Sequence, residues 1–182
     1  MLEGIDTKVL PAIRNLKDID KALKTNSPYV ILLNTHIGQI KSLVKTIQRS
    51  DKKVLMHADL VQGLKSDEYA AQFLCQDIKP DGLISTRKSV LLTAKKANLI
   101  TIQRLFLLDS IALESSYQMM KTINPDCVEI LPGIIPHIIS EVSRETKIPV
   151  IAGGLIRSKE EVQAACNAGA TAVTTSNREL WE

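Results

Sequence analysis

A compact (β/α)8 barrel is the fold class this sequence predicts, and three observations predict it. Eight short β-rich apolar runs alternate with longer segments of helical period, helix-stopping residues fall just ahead of the runs, and the spacing of the runs matches one minimal strand–helix unit with short loops. The runs are Val9 to Ile13, Tyr29 to Leu33, Val54 to Ala58, Gly82 to Ser85, Leu99 to Gln103, Cys127 to Leu131, Val150 to Gly153 and Ala172 to Thr175. Helix-type sequence fills the gaps over Lys17 to Lys24, Ile37 to Arg49, Asp67 to Ile78, Lys88 to Ala97, Ser110 to Ile123, Ile134 to Thr146 and Lys159 to Ala168. A short eighth helix is expected near Glu179 to Glu182.

The punctuation agrees with this division. Asp51, Pro80-Asp81-Gly82, Asn124-Pro125-Asp126, Ile148-Pro149 and Gly169 stand where helices must stop before the next strand. Ser66-Asp67-Glu68, Asp109-Ser110 and Ser158-Lys-Glu-Glu161 read as helix starts, the last as a capping box. Strict alternation implies a parallel sheet, and eight units favour closure into a TIM-type barrel over the alternative, an open doubly wound sheet. With no linker, low-complexity tract or fine repeat, residues 1–182 read as one domain.

Composition bounds the function classes. A chain of 182 residues, 45% hydrophobic and 24% charged, can bury one sizeable core, and its net charge of +3 neither demands nor excludes a polyanionic partner. No apolar run approaches the roughly 20 residues that span a bilayer, and acids stand near the N-terminus where a signal peptide carries basic residues, so the expectation is a cytoplasmic protein without a membrane partner. Cys75, Cys127 and Cys166 sit singly in apolar patterns, as reduced buried thiols do, and no metal-ligand spacing or cofactor motif is evident. Aromatic residues are 3% of the chain, which leaves little material for a base-stacking platform.

In a barrel the strand exits share one mouth, and polar residues stand at every predicted exit: Arg14, Asn34, His57 with Asp59, Ser85-Thr86-Arg87, Gln103-Arg104, Glu129, Gly153-Gly154 and Thr175-Ser176-Asn177. The loops after the last two strands are where barrels commonly hold phosphate. There Gly153 and Gly154 let backbone N–H groups approach an anion, and Thr175, Ser176 and Asn177 add hydroxyls, an amide and a helix start. His57 and Asp59 share strand parity. Three readings stay open for them: a hydrogen-bonded pair tying down the strand exit, ligand contact, or metal and catalytic work. Glu129 interrupts an apolar strand, so its carboxylate is either a functional acid or half of a structural pair with Arg104 or Arg14.

Arg14, Lys65, Arg87, Lys88, Arg104, Arg157 and Arg178 make the mouth side cationic, a field suited to a small phosphorylated ligand. A second basic set, which includes Lys52, Lys53, Lys95 and Lys96, precedes strands on the opposite face, where lysines complement helix C-termini.

With these motifs in view, the sequence resembles the glycerol-3-phosphate-responsive antiterminator family. The matching stretches are His-Ala-Asp-Leu at 57 to 60, Pro-Asp-Gly-Leu-Ile-Ser-Thr-Arg at 80 to 87, Ile-Gln-Arg-Leu-Phe at 102 to 106, Glu-Ile-Leu-Pro-Gly at 129 to 133, Pro-Val-Ile-Ala-Gly-Gly-Leu at 149 to 155 and Ala-Val-Thr-Thr-Ser-Asn at 172 to 177. The resemblance implies a regulator, not an enzyme, that binds glycerol 3-phosphate and acts on the leader mRNA of glycerol utilisation operons. It places Gly153, Gly154, Ser176 and Asn177 at the phosphate, with Thr175 beside them, and Arg104, Glu129, His57 and Asp59 in matched stretches where we expect contact with the glycerol portion. For RNA the mouth-side residues Arg87, Lys88, Arg157 and Arg178 are the expected contacts. The alternative is an enzyme of the same fold acting on a triose phosphate or similar substrate, which needs an acid or base at the reacting bond; Glu129 and His57 keep it open.

Overall fold

The computed structural model describes residues 8–181. Eight parallel strands close on themselves: β1 (Val9–Ile13), β2 (Tyr29–Leu32), β3 (Lys53–His57), β4 (Gly82–Ser85), β5 (Ile100–Phe106), β6 (Cys127–Leu131), β7 (Val150–Gly153) and β8 (Ala172–Thr175). Each pairs with its successor, and β8 pairs with β1 through Val9 with Val173, Leu10 with Thr174 and Pro11 with Thr175. The helices α1 (Ile19–Leu23), α2 (Ile40–Gln48), α3 (Glu68–Phe73), α4 (Lys88–Lys96), α5 (Ser110–Ile123), α6 (Pro136–Thr146) and α7 (Lys159–Asn167) fill the connections, so the fold is a (β/α)8 barrel.

Strand parity sorts the core into an inside and an outside. Leu10, Tyr29, Leu55, Ile84, Ile102, Cys127, Ile151 and Ala172 point inward and pack together in the barrel's lower interior. Alternate residues such as Val30, Val54, Leu83, Leu105, Val128 and Val173 point outward under the helices, in two clusters. Because parity is fixed at the bottom, inward positions nearer the exits, His57, Arg104, Glu129 and Thr174, with Arg14 just past β1, form a polar layer at the strand exits.

Local chemistry explains where the elements begin and end. The Asp67, Asp109 and Ser158 side chains accept from backbone N–H groups in the first turns of α3, α5 and α7, and Ser158 with Glu161 completes the expected capping box. On the opposite face, the aspartates of the two Pro-Asp turns clamp neighbouring strands: Asp81 accepts from Val54 N–H (2.8 Å) and Asp126 from Thr101 N–H (3.0 Å). On that face too, Lys79, Asn124 and Lys147 leave α3's extension, α5 and α6 in the left-handed conformation, with φ of 59°, 49° and 57°.

Several details depart from the sequence expectation. β3 begins at Lys53 and turns into a 3-10 segment at Ala58, whereas β5 runs on through Arg104 to Phe106. α3 gives way to a π-helical turn over Leu74–Ile78. Two-residue strands at Thr35–His36 and Val61–Gln62 pair beyond the exits of β2 and β3. The expected eighth helix is a 3-10 turn, Arg178–Leu180, and Glu182 lies outside the described residues. Trp181 follows that turn and donates its indole N–H to Thr175 O at 2.9 Å.

Candidate ligand-binding site

The polar inner layer floors a cleft of about 570 Å³ at the strand exits, within the range of small-molecule sites. Its walls include Arg14, Leu33, His57, Arg104, Glu129, Leu131, the run Gly154 to Arg157 and the run Thr174 to Asn177. The cleft therefore has two unlike ends, a buried charged cluster and a pair of backbone turns.

Glu129 sits at the centre of the cluster, 2% exposed. Its Oε1 accepts from Thr174 Oγ1 at 2.9 Å, while Oε2 lies 3.7 Å from Arg104 Nε and 3.8 Å from His57 Nε2, beyond hydrogen-bond reach of both. Both His57 ring nitrogens, Arg104 Nε and Glu129 Oε2 are buried without a hydrogen-bond partner. Buried polar atoms in proteins are nearly always paired, so these orphans, two of them within 4 Å of Glu129 Oε2, mark an unusual polar cluster beside the cleft. Burial first, and the Arg104 guanidinium second, hold the His57 imidazole down to about 3, so it is neutral at physiological pH. For Glu129, burial pushes the carboxyl up, with Arg104 and the Thr174 hydroxyl pulling the other way. Arg104 is steadied from outside by the Phe106 ring, 4.5 Å from its guanidinium carbon.

Gly153 belongs beneath this cluster. A Cβ there would lie 2.5 Å from Thr174 Oγ1 and 2.9 Å from Glu129 Oε1, so only glycine lets the Glu129–Thr174 bond form. The turn that follows carries Gly154 and Leu155 at φ of 74° and 62°. Gly133 N–H bridges to it from the β6 exit, donating to Gly153 O at 2.6 Å and to Gly154 O at 3.1 Å. Across the cleft, Thr175 Oγ1 donates to Ile156 O (2.9 Å) and accepts from Asn177 N–H, and Asn177 Nδ2 donates to Arg157 O (3.1 Å). Thr175 and Asn177 thus stitch the β7 and β8 exits together. Among the described residues, the N–H groups of Gly154, Leu155 and Ser176 donate to no protein acceptor, and the Ser176 side chain is exposed.

The structure brings together most of the residues expected at the mouth and redistributes others. His57 lies against Glu129 across the barrel, not against Asp59, because the chain turns at Ala58 and breaks the parity that would have aligned His57 with Asp59. Asp59 faces β4, where it accepts from the Ser85 hydroxyl (2.6 Å), Thr86 N–H (2.7 Å) and the Thr86 hydroxyl (3.0 Å), and it does not line the cleft. Gln103 points outward and donates to Ser116 O under α5. Sequence reasoning misses Thr174, the third member of the Glu129 cluster, although its parity with inward Ala172 is the signal for it.

Of the basic residues, Arg87 and Lys88 are exposed at the start of α4, Arg157 is exposed on the cleft wall, and Arg178 pairs with Asp18 at 3.0 Å. On the opposite face, Lys52 Nζ donates to Thr25 O and Ser27 O, Lys95 Nζ to Ile123 O and Asn124 O beyond α5, and Lys53 lies 5.6 Å from the Tyr29 ring centre. No group of three or more His, Cys, Asp or Glu that could hold a metal ion occurs among the described residues. No helix among them is long and apolar enough to cross a membrane.

The profile of the family described as glycerol-3-phosphate responsive antiterminator matches residues 9–181. The chain belongs to this family. Among solved structures, the glycerol uptake operon antiterminator regulatory protein of Listeria monocytogenes is 47% identical, with a TM-score of 0.95 over 99% of this chain and 97% of the other. A glycerol uptake operon antiterminator-related protein of Thermotoga maritima is 30% identical, with a TM-score of 0.84 over 96% and 98%. The uncharacterized protein YgcP of Escherichia coli is 34% identical over 173 residues, 95% of this chain and 91% of its own. Membership supports a role in antitermination control rather than in metabolism.

Proposed function

We propose that this antiterminator-family chain is a non-catalytic sensor of glycerol 3-phosphate that binds leader mRNA, with the ligand lying along the cleft. The observation that carries the ligand reading is the pairing of unlike ends in one 570 Å³ cleft: unpaired N–H groups at the Gly154 and Ser176 turns, and the orphaned His57–Arg104–Glu129 cluster. A phosphate suits the first end, where backbone donors and Arg157 supply positive potential, and a short polyol suits the second. Gly153 acts on binding from below, by making room for the cluster, while Thr175 and Asn177 hold the two turns at a fixed separation.

For the RNA, the mouth-side cations Arg87, Lys88 and Arg157 are exposed, with Arg178 held beside them by Asp18. Lys52, Lys53 and Lys95 are engaged with backbone carbonyls or an aromatic ring. A ligand seated against Arg157 adjoins the same surface, so its occupancy and the RNA contact are directly linked.

Isothermal calorimetry with glycerol 3-phosphate, followed by a gel shift of the leader transcript with and without it, tests both halves. The expected result is saturable one-site binding without turnover, and an RNA affinity that changes with ligand. Removing charge at Arg87, Lys88 and Arg157 should weaken RNA binding and flatten its salt dependence. Loss confined to variants of Lys52, Lys53, Lys95 and Lys96 would overturn the mouth-side assignment.

A further inference from the structure

We infer that the apolar arc over the β5, β6 and β7 exits seats a second copy of this chain, joining two barrels across a two-fold axis. The inference goes beyond the ligand and RNA readings and depends on neither. Five large apolar side chains stand in solvent at these three consecutive exits. Phe106 closes β5, Leu108 follows it, Ile111 lies in the first turn of α5, Ile134 follows β6 and Leu155 follows β7, with Leu108 80% and Ile111 76% exposed. Backbone bonds tie the exits into one surface: Leu107 N–H donates to Leu131 O at 2.8 Å and Gly133 N–H to Gly153 O at 2.6 Å. Leu155 adds a second sign. Its φ of 62° suits glycine or asparagine, yet the position presents a leucine side chain to solvent at the edge of the arc.

Area and charge point to the occupant. The five side chains leave on the order of 500 Å² of mostly apolar surface in water, large for a monomer, and two such patches in contact would remove about 1,000 Å², enough for a specific interface. Residues 105–120 and 131–143 contain no lysine or arginine, so the arc offers a polyanion nothing to hold. Its ends carry opposite charge: exposed Asp109 and Glu114 flank it at the β5 side, and exposed Arg157 at the β7 side. An axis through the β6 exit lays the β5 end of one copy on the β7 end of the other, so apolar meets apolar and Arg157 meets the partner's Asp109. That self-complementarity is what an isologous contact requires. Leu155 and Arg157 also line the cleft, so the partner stands at its opening.

The test is sedimentation equilibrium on the full chain and its variants, with thermal melts to check folding. Wild type is expected to dimerise with a Kd in the micromolar range. Leu108→Asp combined with Ile111→Asp should weaken the dimer by at least about a hundredfold, and Leu155→Gly, a change the backbone conformation favours, by at least about threefold. Arg157→Glu, set against the partner's Asp109, should also cost at least about threefold. Tyr69→Asp alters an equally exposed side chain on α3, outside the arc, and should leave the dimer unchanged. A wild-type monomer at about 100 μM overturns the inference and leaves the arc to an unrelated protein or to RNA. A dimer that persists unchanged in the folded arc variants, or falls as far in Tyr69→Asp, overturns its location. Insensitivity to Arg157→Glu alone overturns the two-fold register. The wild-type mass and the Leu155→Gly and Arg157→Glu variants keep the test decisive if the double aspartate variant does not fold.

Discussion

The two layers inside the barrel are made of the same eight strands yet solve opposite problems. In the lower layer Leu10, Tyr29, Leu55, Ile84, Ile102, Cys127, Ile151 and Ala172 meet one another, and burial alone makes the packing favourable. Two residues further along five of those strands stand Ala12, His57, Arg104, Glu129 and Thr174, and there a carboxylate, an imidazole and a guanidinium are buried or nearly so with atoms left unpaired. The lower layer holds the closed sheet together strongly enough for the upper one to keep buried polar atoms unpaired.

Acid should expose the weakness of the upper layer first. His57 is held at about 3 when folded against 6.5 for a free imidazole side chain, so between those values the unfolded chain binds the extra proton. Its contribution is fully present above pH 6.5 and is lost as pH falls toward 3, with an effect on the order of 4 kcal/mol. Glu129, raised when folded, works in the opposite sense, its contribution being present at low pH and lost as pH rises through its folded value. Urea midpoints at pH 4 and pH 7 should therefore converge in His57→Gln relative to wild type; an unchanged pH dependence would show that the imidazole is not the group responsible.

A cut into the lower layer should do the reverse. Ile102→Ala removes a fully buried side chain and is expected to lower stability by about 3 kcal/mol while ligand affinity in the folded protein changes by less than about twofold. Equilibrium unfolding and calorimetry on the same preparation separate the two readouts, and a large affinity loss would mean the layers are mechanically coupled.

Gly153→Ala sharpens the comparison from the seam between them. Its methyl would collide with Thr174 Oγ1 and the Glu129 carboxylate, so stability should fall by about 2 kcal/mol and ligand binding by more than about tenfold. Binding at wild-type strength would show that the Glu129–Thr174 bond is not part of the recognition geometry.

This contrast also explains what can be read from the chain alone. Short apolar runs set between helix-period segments identify all eight barrel strands, since strands buried on both faces leave continuous apolar stretches in the sequence. The end of β5 reads short because Arg104 looks like a loop residue until the neighbouring strand β6 sets Glu129 beside it. Local parity pairs His57 with Asp59, its neighbour in sequence, when its partner stands across the barrel, a proximity that only closure creates. The Gly153-Gly154 motif is legible as a pair but not as two different jobs. One glycine makes room for a carboxylate and the other turns the chain, a distinction that depends on side chains from β6 and β8.

Lys79 and Lys147, leaving their helices with φ of 59° and 57°, carry a consequence for how much alteration the molecule can absorb. A side chain with a Cβ is disfavoured in that conformation, and lysine lacks the short polar group that lets asparagine tolerate it at Asn124. Glycine at either position should add about 1 kcal/mol, readable as a higher melting temperature. Both sites lie on the face of the barrel away from the cleft, so the protein has room to become sturdier without any change to the cleft. Such a reserve would let harsher replacements at Glu129, Arg104 or His57 be made in a chain that still folds, and new ligand preferences be sought there.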